Sequence, residues 1–159
     1  MNSNFWLPPQ RWSFFVCYLI LVLLQGCAKV STIRSAPDEM KLVNYKRAYI
    51  YALNDDEWQI NQSLSYELAN MGIAVVGIPF KDPTKQDLLV KYQFDSGWDI
   101  EKYLKSFQIQ LIDAQSGFIV ASTSYRSNGI WLGKRDGRLE AAFNDLREKN
   151  GLPRTKQFD

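Results

Sequence analysis

Residues 47–78 read RAYIYALNDDEWQINQSLSYELANMGIAVVGI, and this stretch decides the fold. The apolar run 47–53 predicts a strand that is covered on both faces or nearly so. A helix is predicted next, because apolar residues recur at helical spacing and Gly72 can supply a left-handed C-cap. Those apolar positions are Ile60, Leu64, Leu68 and Met71. Residues 73–78 predict a second strand, parallel to the first and joined to it right-handedly as a βαβ unit.

The acidic run before this helix has two interpretations. Asn54 can cap the helix while Glu57 returns the bond three residues on, as in a capping box. Asp55, Asp56 and Glu57 are alternatively paired acids for glycoside-type chemistry. Their place at a helix start favours capping and the helix dipole.

The middle of the chain predicts an antiparallel meander. Apolar residues alternate with polar ones over 88–94 and 107–111, and 118–125 completes a hairpin. Residues 95–99 break the first of these strands, and 114–117 turn the chain between the other two.

A final helix is predicted over 138–149, after a glycine-punctuated loop at 128–137. Its apolar stripe comprises Leu139, Ala142, Phe143 and Leu146. The fold class is therefore α+β: a two-layer α/β sandwich in the order β-α-β-β-β-β-α. Both helices would cover one face of a five-stranded mixed sheet. The other face would carry Lys91, Gln93, Gln108 and Gln110.

Composition excludes several kinds of chemistry. The 159 residues include no histidine, so Cys/His zinc sites, Ser-His-Asp triads and histidine bases are excluded. If residues 1–26 are removed, Arg11 is the only charged side chain lost, which leaves 18 basic against 17 acidic side chains from the original 19 and 17. This balance excludes a strong electrostatic drive toward nucleic acid or an acidic surface.

The N-terminus has the pattern of a secretory signal. The apolar core 14–24 is shorter than the about 20 residues that span a bilayer, but it suits a signal peptide. Leu23-Leu24-Gln25-Gly26-Cys27 follows and resembles the lipobox of bacterial lipoproteins. The resemblance implies cleavage after Gly26, a diacylglycerol on the Cys27 thiol and an acyl chain on its new amino group, with no other cofactor. The alternative is an uncleaved anchor or a core helix.

Four segments follow from this interpretation. Residues 1–26 are a signal peptide that is removed, and 27–42 are a lipidated tether that spans on the order of 20 Å. Residues 43–150 are the α/β sandwich domain, and 151–159 are a flexible tail.

The order of elements behind a lipobox is similar to that of small periplasmic lipoproteins of Gram-negative bacteria with uncharacterised or assembly-related roles. The likeness lies in DLLVKY at 87–92 and IQLIDAQSG at 109–117, and it covers roughly residues 47 to 149. It implies a scaffold or binding role and carries over no catalytic residue. Ala28 is not the aspartate that commonly retains such proteins at the inner membrane. The resemblance therefore implies the outer membrane, with the domain facing the periplasm.

Two loops carry candidate ligand-binding charges. The glycine-rich loop 129–138 brings Lys134, Arg135 and Arg138 to a helix start, where they could hold a phosphate or carboxylate. Its spacing is not that of a Walker loop, and a connection with solvated charges is the alternative. Asp95, Asp99 and Glu101 surround Gly97, and carboxylates on a loop can bind calcium, although the 12-residue pattern of an EF-hand is absent. A polar turn between strands is the alternative there.

Tryptophans and the open sheet face are candidate partner surfaces. Trp98 and Trp131 fall in predicted connections, where exposed tryptophan marks a partner surface or a headgroup contact, or caps the sheet as edge core. Trp58 falls beside the first helix. The open face carrying Lys91, Gln93, Gln108 and Gln110 can receive a partner or remain solvated.

The favoured function is a non-enzymatic, lipid-anchored envelope module that binds a protein partner through the open face and the tryptophan loops. The alternative is a carbohydrate-directed hydrolase or glycan-binding protein that uses Asp95, Asp99 or Glu101. Membrane lipid is expected to hold the protein through acylated Cys27.

Overall fold

The computed structural model describes residues 28–34, 40–98, 102–127 and 135–153. They form an α+β fold with one mixed sheet and two helices, in the spatial strand order β1-β6-β5-β4-β2-β3. The strands are β1 (Ala28–Arg34), β2 (Arg47–Ala52), β3 (Ala74–Val76), β4 (Asp87–Trp98), β5 (Lys102–Asp113) and β6 (Ile119–Ser127). The helices are α1 (Ile60–Asn70) and α2 (Arg135–Lys149), and a 3₁₀ turn covers Leu42–Asn44.

The predicted βαβ unit is confirmed, with β2 parallel to both β3 and β4. Gly72 adopts φ of 77° just after α1, as a left-handed C-cap requires. The start of the helix differs from the capping box. Asp56 accepts from the backbone amides of Ile60 (2.7 Å) and Asn61 (2.9 Å), whereas the Asn54 side chain donates to the Phe94 carbonyl.

The sheet has six strands, so the five-strand prediction is wrong. The additional strand, β1, lies inside the segment predicted to be a tether, and it pairs antiparallel with β6 along its whole length. Thr32 faces the core and donates a 3.0 Å hydrogen bond to Thr123 on β6. The Lys149 ammonium donates to the Thr32 carbonyl, which ties β1 to the end of α2. The tether prediction is therefore wrong over Ala28–Arg34.

The predicted break after residue 94 is also absent. β4 continues to Trp98, and a register shift between Asp95 and Ser96 accommodates one extra residue on β5. Gly97 sits under the Tyr103 ring, and a Cβ at Gly97 would lie 2.5 Å from that ring. The close approach explains why glycine occupies this strand position.

One buried cluster lies between the sheet and both helices, so the helices share a face as predicted. The apolar stripe predicted for the last helix is confirmed as part of the core. This helix, α2, begins at Arg135 and not at residue 138 as predicted. Strand β2 departs from its prediction, because Tyr51 is 48% exposed and this strand is open on one face. In the part of the chain that the structure describes, no helix has the length and apolar character to cross a membrane.

Candidate functional site

The open face of the sheet is built by alternate residues of β4, β5 and β6. Their neighbours in sequence, such as Tyr92 and Ile109, are buried in the core, so the polar residues between them point away from the helices. Lys91 lies opposite Gln110, and Gln93 lies opposite Gln108. The structure therefore brings all four predicted open-face residues into one patch.

Two serines of β6 extend this patch. Ser122 pairs with Gln110 and Ser124 pairs with Gln108 in the register of β5 and β6. Neither serine was singled out from the sequence. Their alternation with buried Ala121, Thr123 and Tyr125 is the signal that could have found them.

The centre of the patch is an amide pair. The Gln93 side chain donates a 3.1 Å hydrogen bond to the Gln108 side-chain carbonyl. A glutamine amide has two donors and an acceptor oxygen with two lone pairs, so each of these side chains keeps further capacity for a ligand. A groove of about 490 Å³ runs beside the pair, bordered by Leu53, Asp95, Ser124 and Arg126.

An apolar border flanks the amides on the β2 side. Tyr51 lies opposite Lys91 in the parallel pairing of β2 and β4, and Leu53 follows at the strand end with 53% of its surface exposed. Neither residue was predicted to lie on the open face, because a run of Ala, Tyr and Ile predicts burial on both faces of the sheet. A partner that lies on this surface would meet aromatic and aliphatic carbon next to hydrogen-bonding amides.

The two described tryptophans, Trp58 and Trp98, do not join this surface. Trp98 is 77% exposed at the end of β4. It shares strand parity with buried Phe94 and with Ser96, whose hydroxyl donates to Glu57 and accepts from the Trp58 indole. Trp98 therefore lies on the helix side of the sheet. Trp58 is half-buried against the core, and Trp131 lies outside the described residues.

Of the three residues of the predicted anion site, Arg138 is the one whose side chain the structure describes, and it does not contribute to such a site. Arg138 is buried, donates to the Leu104 carbonyl and lies 5.5 Å from the Tyr125 ring centroid. Its guanidinium thus holds α2 against β5 and β6 and is not a surface cation. Lys134 and the side chain of Arg135 lie outside the described residues.

Three of the acidic candidates, Asp56, Glu57 and Asp95, accept structural hydrogen bonds. Asp95 accepts a 2.9 Å hydrogen bond from Ser106, and Asp56 caps α1. Glu57 accepts from Lys102 and Ser96, and these hydrogen bonds lower its pKa. Asp99 and Glu101 lie outside the described residues. Within the described ranges, no group of three or more acidic or sulfur ligands is placed to hold a metal.

Two further carboxylates, Asp87 and Asp113, lie where β4 begins and β5 ends, at the end of the sheet away from the turn between these strands. Asp87 accepts two hydrogen bonds from Arg47, at 2.7 and 2.8 Å, and two from Thr84. The Arg47 contact, with help from Thr84, lowers the pKa of Asp87 against the effect of burial. Asp113 accepts from Tyr45 and Ser116. Burial alone would raise the pKa of Asp113, but these hydrogen bonds outweigh it and lower the pKa.

A second groove of about 650 Å³ lies at that same end. It is lined by Lys46, Lys85 and Gln86 together with Tyr45 and Asp113. The Tyr45 hydroxyl donates to Asp113 at 2.9 Å, and burial raises the Tyr45 pKa. The two buried polar groups satisfy each other, so this groove presents two exposed lysines and is a weaker candidate than the amide patch.

Comparison with known proteins gives fold similarity without a family. No protein-family model matches the sequence, and no curated protein matches it. Two structures of PelC from Paraburkholderia phytofirmans, described as dodecamers, are similar at a TM-score of 0.50 with 11% and 12% identity. Each alignment covers 82% of this chain and 100% of PelC. A PDZ domain protein from Parabacteroides distasonis has a TM-score of 0.49 at 17% identity, with 89% of this chain and 40% of that chain covered. At 11% and 12% identity the similarity to PelC concerns the fold alone.

Proposed function

We propose that this protein is a lipid-anchored envelope lipoprotein that acts as a non-enzymatic binding module. Acylated Cys27 holds it in the outer membrane, with the domain on the periplasmic side. The open sheet face, centred on Gln93 and Gln108, receives a protein partner.

One observation supports this use of the sheet. Gln93, Gln108 and Gln110 stand in register on a face that neither helix covers, beside a groove of about 490 Å³. Exposed Tyr51 and Leu53 border the amides. Apolar contact area next to amide groups that can still form hydrogen bonds is typical of a protein-binding surface.

The hydrolase alternative has less support. Asp95, its one described carboxylate, already accepts from Ser106, and general acid–base catalysis needs a second positioned group. The open amide face fits a polymer of hydroxyl groups as well as a peptide, so recovery of glycan is a separate outcome of the test. The PelC dodecamers make a second copy of this chain a further candidate partner.

The test is a crosslinking pull-down from intact cells with the tagged, full-length chain. Gln93→Lys alters the open face, and Gln62→Lys is the matched control on the exposed side of α1. One envelope protein recovered with wild type and the Gln62 variant, but lost with the Gln93 variant, supports the proposal. Equal recovery from all three chains contradicts it, and recovery of glycan in place of protein favours the carbohydrate alternative.

A further inference from the structure

A row of apolar side chains crosses the open face near the start of β4. Each member stands directly opposite the next in the strand register, and residues that stand opposite each other point to the same side of a sheet. Leu89 lies between Leu88 and Val90, which are buried under the helices, so the row is on the open side. This apolar row comprises, from β6 across to β3, Ile119, Ile112, Leu89, Tyr49 and Val76.

All five side chains of the apolar row are partly exposed. The adjoining row of the open face adds apolar surface at both of its ends, where Ile33 is 62% exposed and Tyr51 is 48% exposed. Single exposed apolar residues are ordinary on a protein surface, but a contiguous apolar patch marks a contact site. The apolar row is therefore the part of the open face that gains most from being covered.

The exposed charges in the two rows that adjoin the apolar row are cationic. On one side stands Lys91, which has no ion-pair partner among the described residues. On the other side Arg47 pairs with Asp87, whose carboxylate is buried while 49% of the Arg47 side chain is exposed. Asp87 accepts from Nε and Nη2 of Arg47, and a guanidinium has five donors, so others remain for a ligand. Asp95, an exposed carboxylate of this face, is four residues from Lys91 along β4, about 13 Å away.

The shape of this surface fits a helix better than an extended peptide. An extended peptide takes its affinity from backbone hydrogen bonds at a sheet edge, and the face of a sheet offers none, because its backbone groups pair within the sheet. A helix satisfies its own backbone and presents an apolar stripe. Four strand intervals of about 4.8 Å make the apolar row about 19 Å long, which is the length of a helix of about 13 residues.

We infer that the partner proposed for the open face contacts it through an acidic amphipathic helix. The apolar stripe of that helix lies along the apolar row, and Asp or Glu residues beside the stripe meet Lys91 and Arg47. The inference rests on the proposed function and adds the chemistry of the partner's contact segment. The rest of the partner reaches Gln93 and Gln108, which lie one row beyond Lys91.

The experiment places a photoreactive phenylalanine analogue at Tyr49 of the full-length chain in living cells. Mass spectrometry then identifies the peptide that is crosslinked to position 49. We expect one segment of an envelope protein in which apolar residues recur at helical spacing and Asp or Glu residues flank them. A crosslinked segment without acidic residues, or with the alternating pattern of a strand, would overturn the inference.

Charge reversal tests the contact with Lys91. Lys91→Glu places a like charge against the acidic helix, so we expect about tenfold less crosslinked product from position 49. Lys105→Glu is the matched control, because Lys105 is exposed and lies five residues from Gln110 along β5, about 16 Å away. A lysine at the acidic position of the partner segment should restore the product with Lys91→Glu, which excludes misfolding as the cause of the loss. The same yield from both lysine variants would overturn the inference.

Two further results separate this inference from the proposed function. A crosslinked protein from position 93 with none from position 49 would overturn the acidic helix and leave the open face standing as a binding surface. No crosslinked protein from either position would overturn both together.

Discussion

The Gln93 side-chain amide donates to the Gln108 side-chain carbonyl across the β4–β5 pair, at 3.1 Å. The two residues stand directly opposite each other in the ladder, on the face that the helices leave open. This hydrogen bond uses one donor of Gln93 and one lone pair of the Gln108 oxygen. It holds the two amides in place, and their remaining donors and lone pairs can still bind a ligand. This is the centre of the proposed partner surface.

Substitution on the open sheet face should leave the stability of the fold nearly unchanged. We expect Gln93→Lys to change the free energy of unfolding by less than about 0.5 kcal/mol, because the side chain is exposed on the face of the sheet that points away from the buried cluster. Urea unfolding of wild type and variant measures this. A large loss of stability would mean that the amide pair is a structural element of the sheet.

Asp87 should make stability depend on acid pH. Arg47 and Thr84 lower its folded pKa, so its contribution is present above the unfolded pKa of about 3.9 and is lost as the pH falls through the folded value. Asp87→Asn should cost about 1–3 kcal/mol at neutral pH, because charged hydrogen bonds to a buried group are lost. Urea titrations should show a shallower acid slope in the variant. An unchanged slope would contradict the role of Asp87, since Asp113, whose pKa is also lowered, remains in both chains.

The buried Glu67–Arg147 pair joins α1 to α2 at 2.7 Å. Burial raises the pKa of Glu67, while the Arg147 charge opposes that rise. Arg147→Met should cost about 3–5 kcal/mol, because it leaves a buried carboxylate without its partner. The double variant Glu67→Met/Arg147→Met should recover much of that loss in thermal unfolding. A double variant as unstable as the single one would show that the charge pair is not the cause.

Gly97 should resist substitution because of Tyr103. Gly97→Ala places a methyl group where the Tyr103 ring now lies, and the ring must move. We expect a loss of about 1–3 kcal/mol, as for other overpacked sites. In a background of Tyr103→Ala the same substitution should be close to neutral. Equal losses in both backgrounds would assign the cost to the strand backbone.

Cys27→Ala tests the anchor. The substitution removes the thiol that the lipobox resemblance assigns to the lipid, so we expect an uncleaved or mislocalised protein with residues 47–149 still folded. Whole-protein mass and membrane fractionation measure this. Unchanged mass and unchanged fractionation would contradict the lipoprotein interpretation.

Periodicity was sufficient to predict the βαβ unit and both helix stripes, because each depends on local spacing of apolar residues. It could not predict β1. Strand residues Ser31 and Thr32 are as polar as a linker, and their pairing partners on β6 are about ninety positions away. Long-range pairing of this kind has no local signature.

The candidate site was also predicted only in part, because periodicity is a local signal. Alternation along β4 and β5 indicated the four open-face residues, since their buried neighbours are strongly apolar. Tyr51 was missed because its strand is uniformly apolar, so only the tertiary structure shows which side is open. Arg138 was misassigned because its charge predicts exposure, whereas the Leu104 carbonyl and the Tyr125 ring accommodate its guanidinium in the interior.

Site-specific photo-crosslinking in living cells tests whether the open sheet face binds a partner. A photoreactive amino acid replaces Gln93 at the centre of the open face, or Gln62 on the exposed side of α1, in the full-length chain. We expect one discrete crosslinked envelope protein from position 93 and none from position 62. The same products from both positions, or none from position 93, would contradict the open sheet face as the binding surface.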